Sequence, residues 1–207
     1  MRLRGNTCVI GLQWGDEAKG KITDLLSEHV DVVVRFLGGS NAGHTVVVGK
    51  QTFKLHLIPS GIVHPEALCV IAGGVVLDPE VLQSELANLD KVGVRYAGRL
   101  KISQTAHVVF PYHKLEDQCK EDSLGKQKIG TTARGIGPCY TDKAARTLAV
   151  RVADLFHPEL ITDRIKQIVA YKNRLLAAMY NSPGVREDEM LRKAREYAEI
   201  LRTFVCD

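Results

Sequence analysis

The first forty residues hold the feature that most constrains the fold of this chain. An apolar run at 7–12 predicts a buried strand, and a loop rich in glycine and charge follows at 15–20. Apolar residues at 22–26 recur at helical spacing, and a second, β-branched run at 30–37 predicts another strand. Strand, helix and strand in this order form a βαβ unit, which requires parallel strands and a right-handed crossover.

The same patterns predict the elements that follow. Apolar and polar residues alternate at 53–58, which predicts one strand of a hairpin whose other strand lies at 46–48. Asp78 stands before Pro79 and is expected to cap a helix, because proline fits the first helical position. Further strands are predicted at 68–72, 100–103 and 108–110, and further helices at 158–180 and 186–204.

Strand signals dominate before residue 155, and helix signals follow it. We therefore predict an α/β fold with a mainly parallel central sheet, flanking helices, a P-loop-like phosphate-binding loop and a helical C-terminal part. The predicted domains are a nucleotide-binding α/β core at 1–155 and a helical segment at 156–207. A polar stretch at 124–146 contains four glycines and is too long for a simple connection, so we expect a functional or disordered loop there.

Composition excludes several classes of protein. Apolar residues make up 45% and charged residues 25%, which is ordinary for a globular chain and unlike a disordered or collagenous one. No apolar run is long enough to span a bilayer and no signal peptide is visible, so we expect a cytoplasmic protein without a membrane partner. The five cysteines lack Cys-x-x-Cys spacing, which argues against a disulfide framework and a zinc cage. The net charge of +4 suits an anionic small molecule, and the dispersed basic residues argue against nucleic acid.

The loop at 15–21 reads Gly-x-x-x-x-Gly-Lys, the pattern of a phosphate-binding loop, between a predicted strand and a predicted helix. N–H groups at a helix start and the charges of Lys19 and Lys21 would attract an anion. Ile22 stands where the standard pattern has the Mg²⁺-binding Ser or Thr. The carboxylate of Asp16 could replace that hydroxyl as a metal ligand, act as a base, or do both. The alternative is an ordinary strand-to-helix turn with a capping Asp16.

Two further loops carry groups suited to nucleotide chemistry. Gly-Gly-Ser-Asn-Ala-Gly-His-Thr at 38–45 follows the second strand, at the sheet edge where α/β folds bind ligands. There Asn41 can donate and accept hydrogen bonds, and His44 can move a proton; the alternative is a structural histidine. Paired threonines, glycines and basic residues at 129–138, followed by Asp142, Lys143 and Arg146, suit a loop that closes over a phosphate, or else a flexible surface loop.

Taken together, these segments resemble the adenylosuccinate synthetases, GTP-dependent ligases that join IMP and L-aspartate in AMP biosynthesis. The matching motifs are Gln-Trp-Gly-Asp-Glu-Ala-Lys-Gly-Lys at 13–21, the segments at 33–36 and 41–45, Leu-His-Leu-Ile-Pro-Ser-Gly-Ile at 55–62, Gly-Val-Val-Leu-Asp-Pro at 74–79, and 129–143. Several motifs in the family's order make the resemblance specific. It covers about residues 8–156, and we expect it to continue to the end.

The resemblance implies roles for matching positions. Asp16 would be the base that takes the purine N1 proton, and His44 the acid that supports phosphoryl transfer to a 6-phosphoryl-IMP intermediate. Mg²⁺ would be held by Asp16 and the Gly43 carbonyl. The implied GTP-binding residues are Gly15, Asp16, Glu17, Ala18, Lys19, Gly20, Lys21, Gly43, His44 and Thr45. The implied IMP-binding residues are Asp16, Glu17, Ala18, Lys19, Asn41, Ala42, Gly43, His44, Thr132 and Arg146. Arg146 would reach the IMP of a neighbouring subunit, which implies a homodimer.

Two departures from the family pattern bear on these expectations. Ala18 stands where the family usually has glycine, so a methyl group lies in the phosphate loop. The 207 residues are about half the family's usual length, and the family's guanine-reading and aspartate-binding segments belong to the later half. The chain is therefore expected to be a fragment of such a ligase; the alternative is a purine-nucleotide-binding module without turnover or an inactive paralogue.

Overall fold

A computed structural model describes residues 5–13, 18–41, 43–48, 51–125, 130 and 132–207. The described residues form six α-helices and eight strands. The helices are α1 (Lys19–Ser27), α2 (Pro79–Lys91), α3 (Pro111–Ser123), α4 (Ile136–Ala145), α5 (Pro158–Tyr180) and α6 (Glu187–Leu201). The strands are β1 (Val32–Arg35), β2 (His44–Val48), β3 (Gln51–Leu55), β4 (Leu68–Ile71), β5 (Val76–Leu77), β6 (Leu100–Ser103), β7 (His107–Val108) and β8 (Val205–Cys206).

The central sheet has four parallel strands in the order β1-β4-β6-β8. The sheet confirms the predicted α/β class and the predicted strands at 30–37, 68–72 and 100–103. β2 and β3 form the predicted antiparallel hairpin, and β5 pairs with β7 in a separate parallel pair. The short strand β8, at the end of the chain, was not predicted.

Helices cover one face of the central sheet. Val33, Cys69, Ile71, Leu100 and Ile102 point to this face and belong to one core cluster with apolar residues of α2, α5 and α6. The cluster joins residues from both sides of residue 155, and the division into domains at that position stays a prediction. Among the described residues, no helix combines the length and the apolar character needed to cross a membrane.

Two predictions about local structure are wrong, and one helix was not predicted. Residues 7–12 form no regular strand: Cys8 is exposed, and Ile10 and Leu12 are 66% and 86% exposed. The helix at Pro111–Ser123 was missed, and the supposed loop at 124–146 contains helix α4. An apolar run becomes a buried strand only when neighbouring strands and helices cover it, and the described residues supply no such cover for 7–12.

Candidate functional site

The loops after β1 and before α4 meet in the structure, although about ninety residues separate them. Arg134 donates from Nη1 to the carbonyl oxygen of Ser40. Gly39 packs so closely against Ile136 that an added Cβ would lie 2.5 Å from the Ile136 Cδ1 atom. The loops at 38–45 and 129–138 therefore contact each other, and a side chain larger than that of glycine at position 39 would require Ile136 to shift.

Two buried or half-buried side chains hold the start of the loop at 38–41. Arg35 Nη2 donates to the Gly39 carbonyl at 2.6 Å, and its Nη1 donates to the His56 carbonyl. The Tyr140 hydroxyl accepts from the Gly38 N–H at 2.8 Å and donates to the Gly74 carbonyl at 2.9 Å. Burial lowers the pKa of the Arg35 guanidinium, and the charge of Glu85 opposes that shift. The loop is thus tied to β1 and to α4.

A buried carboxylate organises the turn after β3. Glu85 accepts hydrogen bonds from the backbone N–H groups of His56, Leu57 and Ile58, at 2.5, 3.1 and 3.0 Å. Its Oε1 also lies 3.3 Å from His56 Nδ1. Burial raises the pKa of Glu85, and these backbone hydrogen bonds oppose the shift. A Cβ at Gly43 would lie 3.5 Å from His56 Nε2, so this imidazole packs beside the Gly43 backbone.

Sequence reasoning missed Glu85 and His56 as parts of the site. Glu85 lies on α2 and is buried among apolar neighbours. A glutamate on the apolar face of a helix is the signal that could have found it, because a buried carboxylate requires hydrogen-bond donors nearby.

The phosphate loop is described only from its last residues onward. Gly15, Asp16 and Glu17 lie outside the described residues. Ala18 has φ 66° and ψ 25°, the left-handed conformation that favours glycine. Its carbonyl accepts from the N–H groups of Lys21 and Ile22, and α1 begins at Lys19 without a side-chain cap. α1 packs against β2, which places this helix beside the strand that His44 begins.

The residues predicted around His44 have mixed outcomes. Ala42 lies outside the described residues. Asn41 and Thr45 are exposed, and Gly43 is exposed beside His56. The backbone of His44 opens β2, opposite Leu55 of β3. Together these positions line the end of the hairpin next to the loop at 38–41.

The side chains of the stretch that contains α4 differ in exposure. Thr132 and Arg146 are exposed, and Arg146 ends α4 with φ 66°, again in the left-handed region. Lys143 donates to the carbonyls of Gly73 and Gly74 at 2.8 and 2.9 Å, so it supports the same turn as Tyr140. Helix α4 carries Lys143 and holds its ammonium on these carbonyls.

Asp142 lies in a buried polar cluster beneath the site. It accepts hydrogen bonds from Lys172 Nζ at 2.8 Å and from His113 Nε2 at 3.1 Å, and Lys172 also donates to Glu116 at 2.7 Å. The His113 Nδ1 atom accepts from the Phe110 N–H, so the ring is neutral with its proton on Nε2. Burial raises the pKa of Asp142, but the hydrogen bonds from His113 and Lys172 lower it below its ordinary value. This cluster fixes α4 against α3 and α5.

A cavity of about 480 Å³ opens beside this surface. Lys54, His56 and Arg134 line one part of it, and Asp78, Glu80 and Lys114 line another. Lys114 is paired with Asp78 at 2.8 Å and with Glu80 at 2.9 Å. Within the described ranges, no group of three or more His, Cys, Asp or Glu side chains could hold a metal ion. The cavity therefore offers mixed charge at the junction of β3, α2 and the loop before α4.

Comparisons with known proteins agree with the motifs. The sequence model of the adenylosuccinate synthetase family matches residues 8–207. The adenylosuccinate synthetase of Gloeobacter violaceus is 54% identical over 202 residues, which cover 98% of this chain and 46% of the relative. That of Carboxydothermus hydrogenoformans is 55% identical over 199 residues, covering 96% of this chain and 46% of the relative.

A solved structure of fully ligated adenylosuccinate synthetase from Plasmodium falciparum has the same fold. It matches with a TM-score of 0.81 and 36% identity, over 94% of this chain and 45% of that one. The 207 residues thus span about half the length of the relatives they match. Because the family model matches nearly the whole chain, and because two relatives and a solved structure agree with it, the chain belongs to the adenylosuccinate synthetase family.

Proposed function

We propose that this chain provides the nucleotide-binding part of an adenylosuccinate synthetase, which ligates IMP and L-aspartate with GTP through 6-phosphoryl-IMP. The observation that carries the proposal is the junction of the loops at 38–45 and 129–138, made by Arg134, Ser40, Gly39 and Ile136. Family membership supports it independently. The reaction needs its acid beside the bound IMP, and this junction brings the loop that carries His44 next to the loop that carries Thr132.

The proposed chemistry begins at the purine ring of IMP. Asp16 takes the N1 proton, which makes the 6-oxo group an oxyanion able to attack the γ-phosphate of GTP. His44 donates a hydrogen bond or proton as charge builds on the transferred phosphoryl group. The aspartate amine then displaces phosphate from C6. The roles of Asp16 and His44 rest on their motif positions.

The substrate contacts of this proposal follow the motif positions. The loop at 15–21, with Gly43, His44 and Thr45, cradles the GTP phosphates. IMP is held by residues of the same loops with Asn41, Ala42 and Thr132. Arg146 reaches the IMP of a second subunit in a homodimer. Its exposure at the end of α4 supports that role, because a side chain there can reach beyond its own chain. We further propose a cytoplasmic enzyme.

Mg²⁺ is part of the proposal. Its ligands in this chain would be a carboxylate oxygen of Asp16 and the carbonyl oxygen of Gly43, and hard oxygen donors of this kind are those that Mg²⁺ prefers. Gly43 lies beside the His56 ring and is exposed, so its backbone is open to approach. Bound there, Mg²⁺ would offset the negative charge of the phosphates.

A purine-nucleotide-binding module without turnover is the second candidate. The positive φ of Ala18 favours it, because this methyl group sits in a backbone conformation that costs about 1 kcal/mol for a residue other than glycine. In this case the 207 residues bind the phosphates of a purine nucleotide weakly, with little choice between GTP and ATP, and form no product.

An activity assay separates the two candidates. The 207-residue chain, alone and joined to the remaining part of the Gloeobacter violaceus synthetase, is supplied with IMP, GTP, L-aspartate and Mg²⁺. We expect adenylosuccinate from the joined protein and none from the chain alone. Asp16→Asn should abolish product while the thermal unfolding midpoint stays unchanged. A joined, folded protein without activity would support the binding module, and product from the chain alone would refute our account of substrate recognition.

A further inference from the structure

Two charged side chains from different elements hold the same residue at the end of the hairpin. Arg35, the last residue of β1, donates from Nη1 to the carbonyl of His56. Glu85, on α2, accepts from the His56 N–H at 2.5 Å and from the N–H groups of Leu57 and Ile58. A cation therefore binds the carbonyl of His56 and an anion binds its N–H. Hydrogen bonds with one charged partner are stronger than those between neutral groups.

The guanidinium of Arg35 also binds the beginning of the same segment. Its Nη2 donates to the Gly39 carbonyl at 2.6 Å. Gly39 lies in the loop after β1, and His56 directly follows β3, so one side chain ties together the two ends of the segment 39–56. The planar fork of arginine offers two N–H groups for two such carbonyls, which a lysine does not. We call Arg35 and Glu85 the clamp.

The residue that the clamp holds lies next to the backbone of Gly43 and His44. In the antiparallel register His44 faces Leu55, the direct neighbour of His56. A Cβ added at Gly43 would lie 3.5 Å from His56 Nε2, and Glu85 Oε1 lies 3.3 Å from His56 Nδ1. The position of His56 therefore bears on the backbone of both residues.

We infer that Arg35 and Glu85 are positioning residues for the reaction: they hold His56, and through it they fix the Gly43 carbonyl and the backbone of His44. Their role rests on the proposed function, which makes His44 the acid and Gly43 a ligand of Mg²⁺. Neither clamp residue touches the substrate. A displacement of reacting groups by about 1 Å can lower a rate on the order of 100-fold, so loss of the clamp should appear in kcat.

Arg99 provides a matched control in the same molecule. Like Arg35 it donates to several backbone carbonyls: those of Ile62 and His64 at 2.8 Å, and that of Ala67 at 3.0 Å. It directly precedes β6, at the amino-terminal edge of the parallel sheet, whereas Arg35 ends β1 at the carboxyl-terminal edge. Lysine at either position removes the same fork from a comparable set of carbonyls, and only the change at Arg35 should reach the candidate site.

The test measures kcat for the chain joined to the remaining part of the Gloeobacter violaceus synthetase, per folded molecule as judged by circular dichroism. Arg35→Lys should lower kcat by about 10- to 100-fold. Arg99→Lys should change kcat by less than about twofold, although it also removes hydrogen bonds. Glu85→Gln keeps the shape of the side chain and removes its charge, and it should lower kcat by about tenfold. This second variant tests the clamp even if Arg35→Lys does not fold.

A double-mutant cycle separates positioning of His44 from a general loss of structure. In a His44→Asn background, Arg35→Lys should lower kcat by less than about threefold, because the group that it positions is already absent. Additive effects of the two changes would overturn the inference. Equal falls in kcat for Arg35→Lys and Arg99→Lys would also overturn it, since the loss would then follow from weakened folding.

Hydrogen exchange tests the clamp in the 207-residue chain without any reaction. The amides of β2 should exchange at least about tenfold faster in Arg35→Lys than in the parent, whereas Arg99→Lys should leave them unchanged. Equal exchange of these amides in all three chains would contradict the clamp. A joined parent protein that makes no adenylosuccinate would refute the proposed function, and faster exchange in Arg35→Lys would still show that Arg35 holds the hairpin.

Discussion

The two faces of the central sheet differ in how they are covered. On one face, Val33, Cys69 and Ile71 belong to a continuous core with apolar residues of α2, α5 and α6. On the other, Val32 and Val34 are about half exposed. The loop at 38–45 follows the carboxyl end of β1, the strand that carries both the buried Val33 and the exposed Val32 and Val34. Helix α4, with its buried cluster, supports the loop before it, whereas Val32 and Val34 have no comparable cover among the described residues.

The largest expected effect tests the supported side. Lys172 is 2% exposed and pairs with Asp142 and Glu116. Lys172→Met should lower the free energy of unfolding by about 3–5 kcal/mol, because it leaves buried carboxylates without their ammonium partner. As a control, Arg192→Met removes an exposed ion pair with Glu196 and should change the free energy of unfolding by less than about 1 kcal/mol. Denaturant titration measures both; equal losses would mean that the buried cluster does not support α4.

The next effect is a dependence of stability on pH. Burial lowers the pKa of His107 from 6.5 to about 4. Burial also lowers the pKa of His113, although Asp142 opposes that shift. Below pH 6.5 His107 takes up a proton in the unfolded chain but stays neutral in the folded one. The free energy of unfolding is therefore highest above pH 6.5 and falls as the pH drops toward 4. The loss from His107 should be on the order of 2–3 kcal/mol.

Unfolding at several pH values checks this dependence, and His107→Leu provides the comparison. The variant should lose less stability between pH 6.5 and pH 4 than the parent does. The same slope in both chains would show that His107 does not titrate in this window.

A smaller effect concerns Arg146 at the end of α4. Its positive φ favours glycine, so Arg146→Gly should raise the free energy of unfolding by up to about 1 kcal/mol. In a joined, active protein the same variant should raise the KM for IMP, because the proposed contact with the second subunit's IMP is lost. Alanine at this position keeps the positive-φ strain and separates the two effects. An unchanged KM for IMP would refute the proposed role.

The smallest effect concerns the phosphate loop. Ala18→Gly should stabilise the chain by about 0.5–1 kcal/mol, because glycine adopts the left-handed conformation at position 18 without strain. We also expect tighter GTP binding by calorimetry. Ala133 also has a positive φ, 49°. Ala133→Gly is therefore the control for stabilisation that glycine gives at any such position. Equal GTP affinity in the Ala18→Gly and parent chains would show that the phosphate loop is not limited by this strain.

Patterns set by local chemistry could be predicted from the sequence. Asp78 caps α2 by accepting from the N–H groups of Glu80 and Val81, as its position before Pro79 predicts. The run at 30–37 contains β1, because β-branched residues suit a strand with at least one covered face. The motif positions at 38–45 and 129–138 did identify loops that meet.

Features that depend on distant partners could not be predicted. The run at 7–12 has the composition of a buried strand, but Ile10 and Leu12 are exposed where nothing described covers them. The polar stretch at 124–146 concealed α4, whose place depends on Asp142 binding Lys172 from α5, thirty residues later. The pairing of Glu85 with the turn at 56–58 likewise joins separate elements, and no local pattern encodes it.

The most direct test of the central proposal follows one oxygen atom. IMP labelled with ¹⁸O at its 6-oxo position is converted by the joined protein in the presence of GTP, Mg²⁺ and L-aspartate. If the 6-oxo oxygen attacks the γ-phosphate and the aspartate amine then displaces phosphate, each phosphate released with adenylosuccinate carries that oxygen. We predict one ¹⁸O atom per phosphate by mass spectrometry. Unlabelled phosphate, released by attack of water on GTP, would contradict the account.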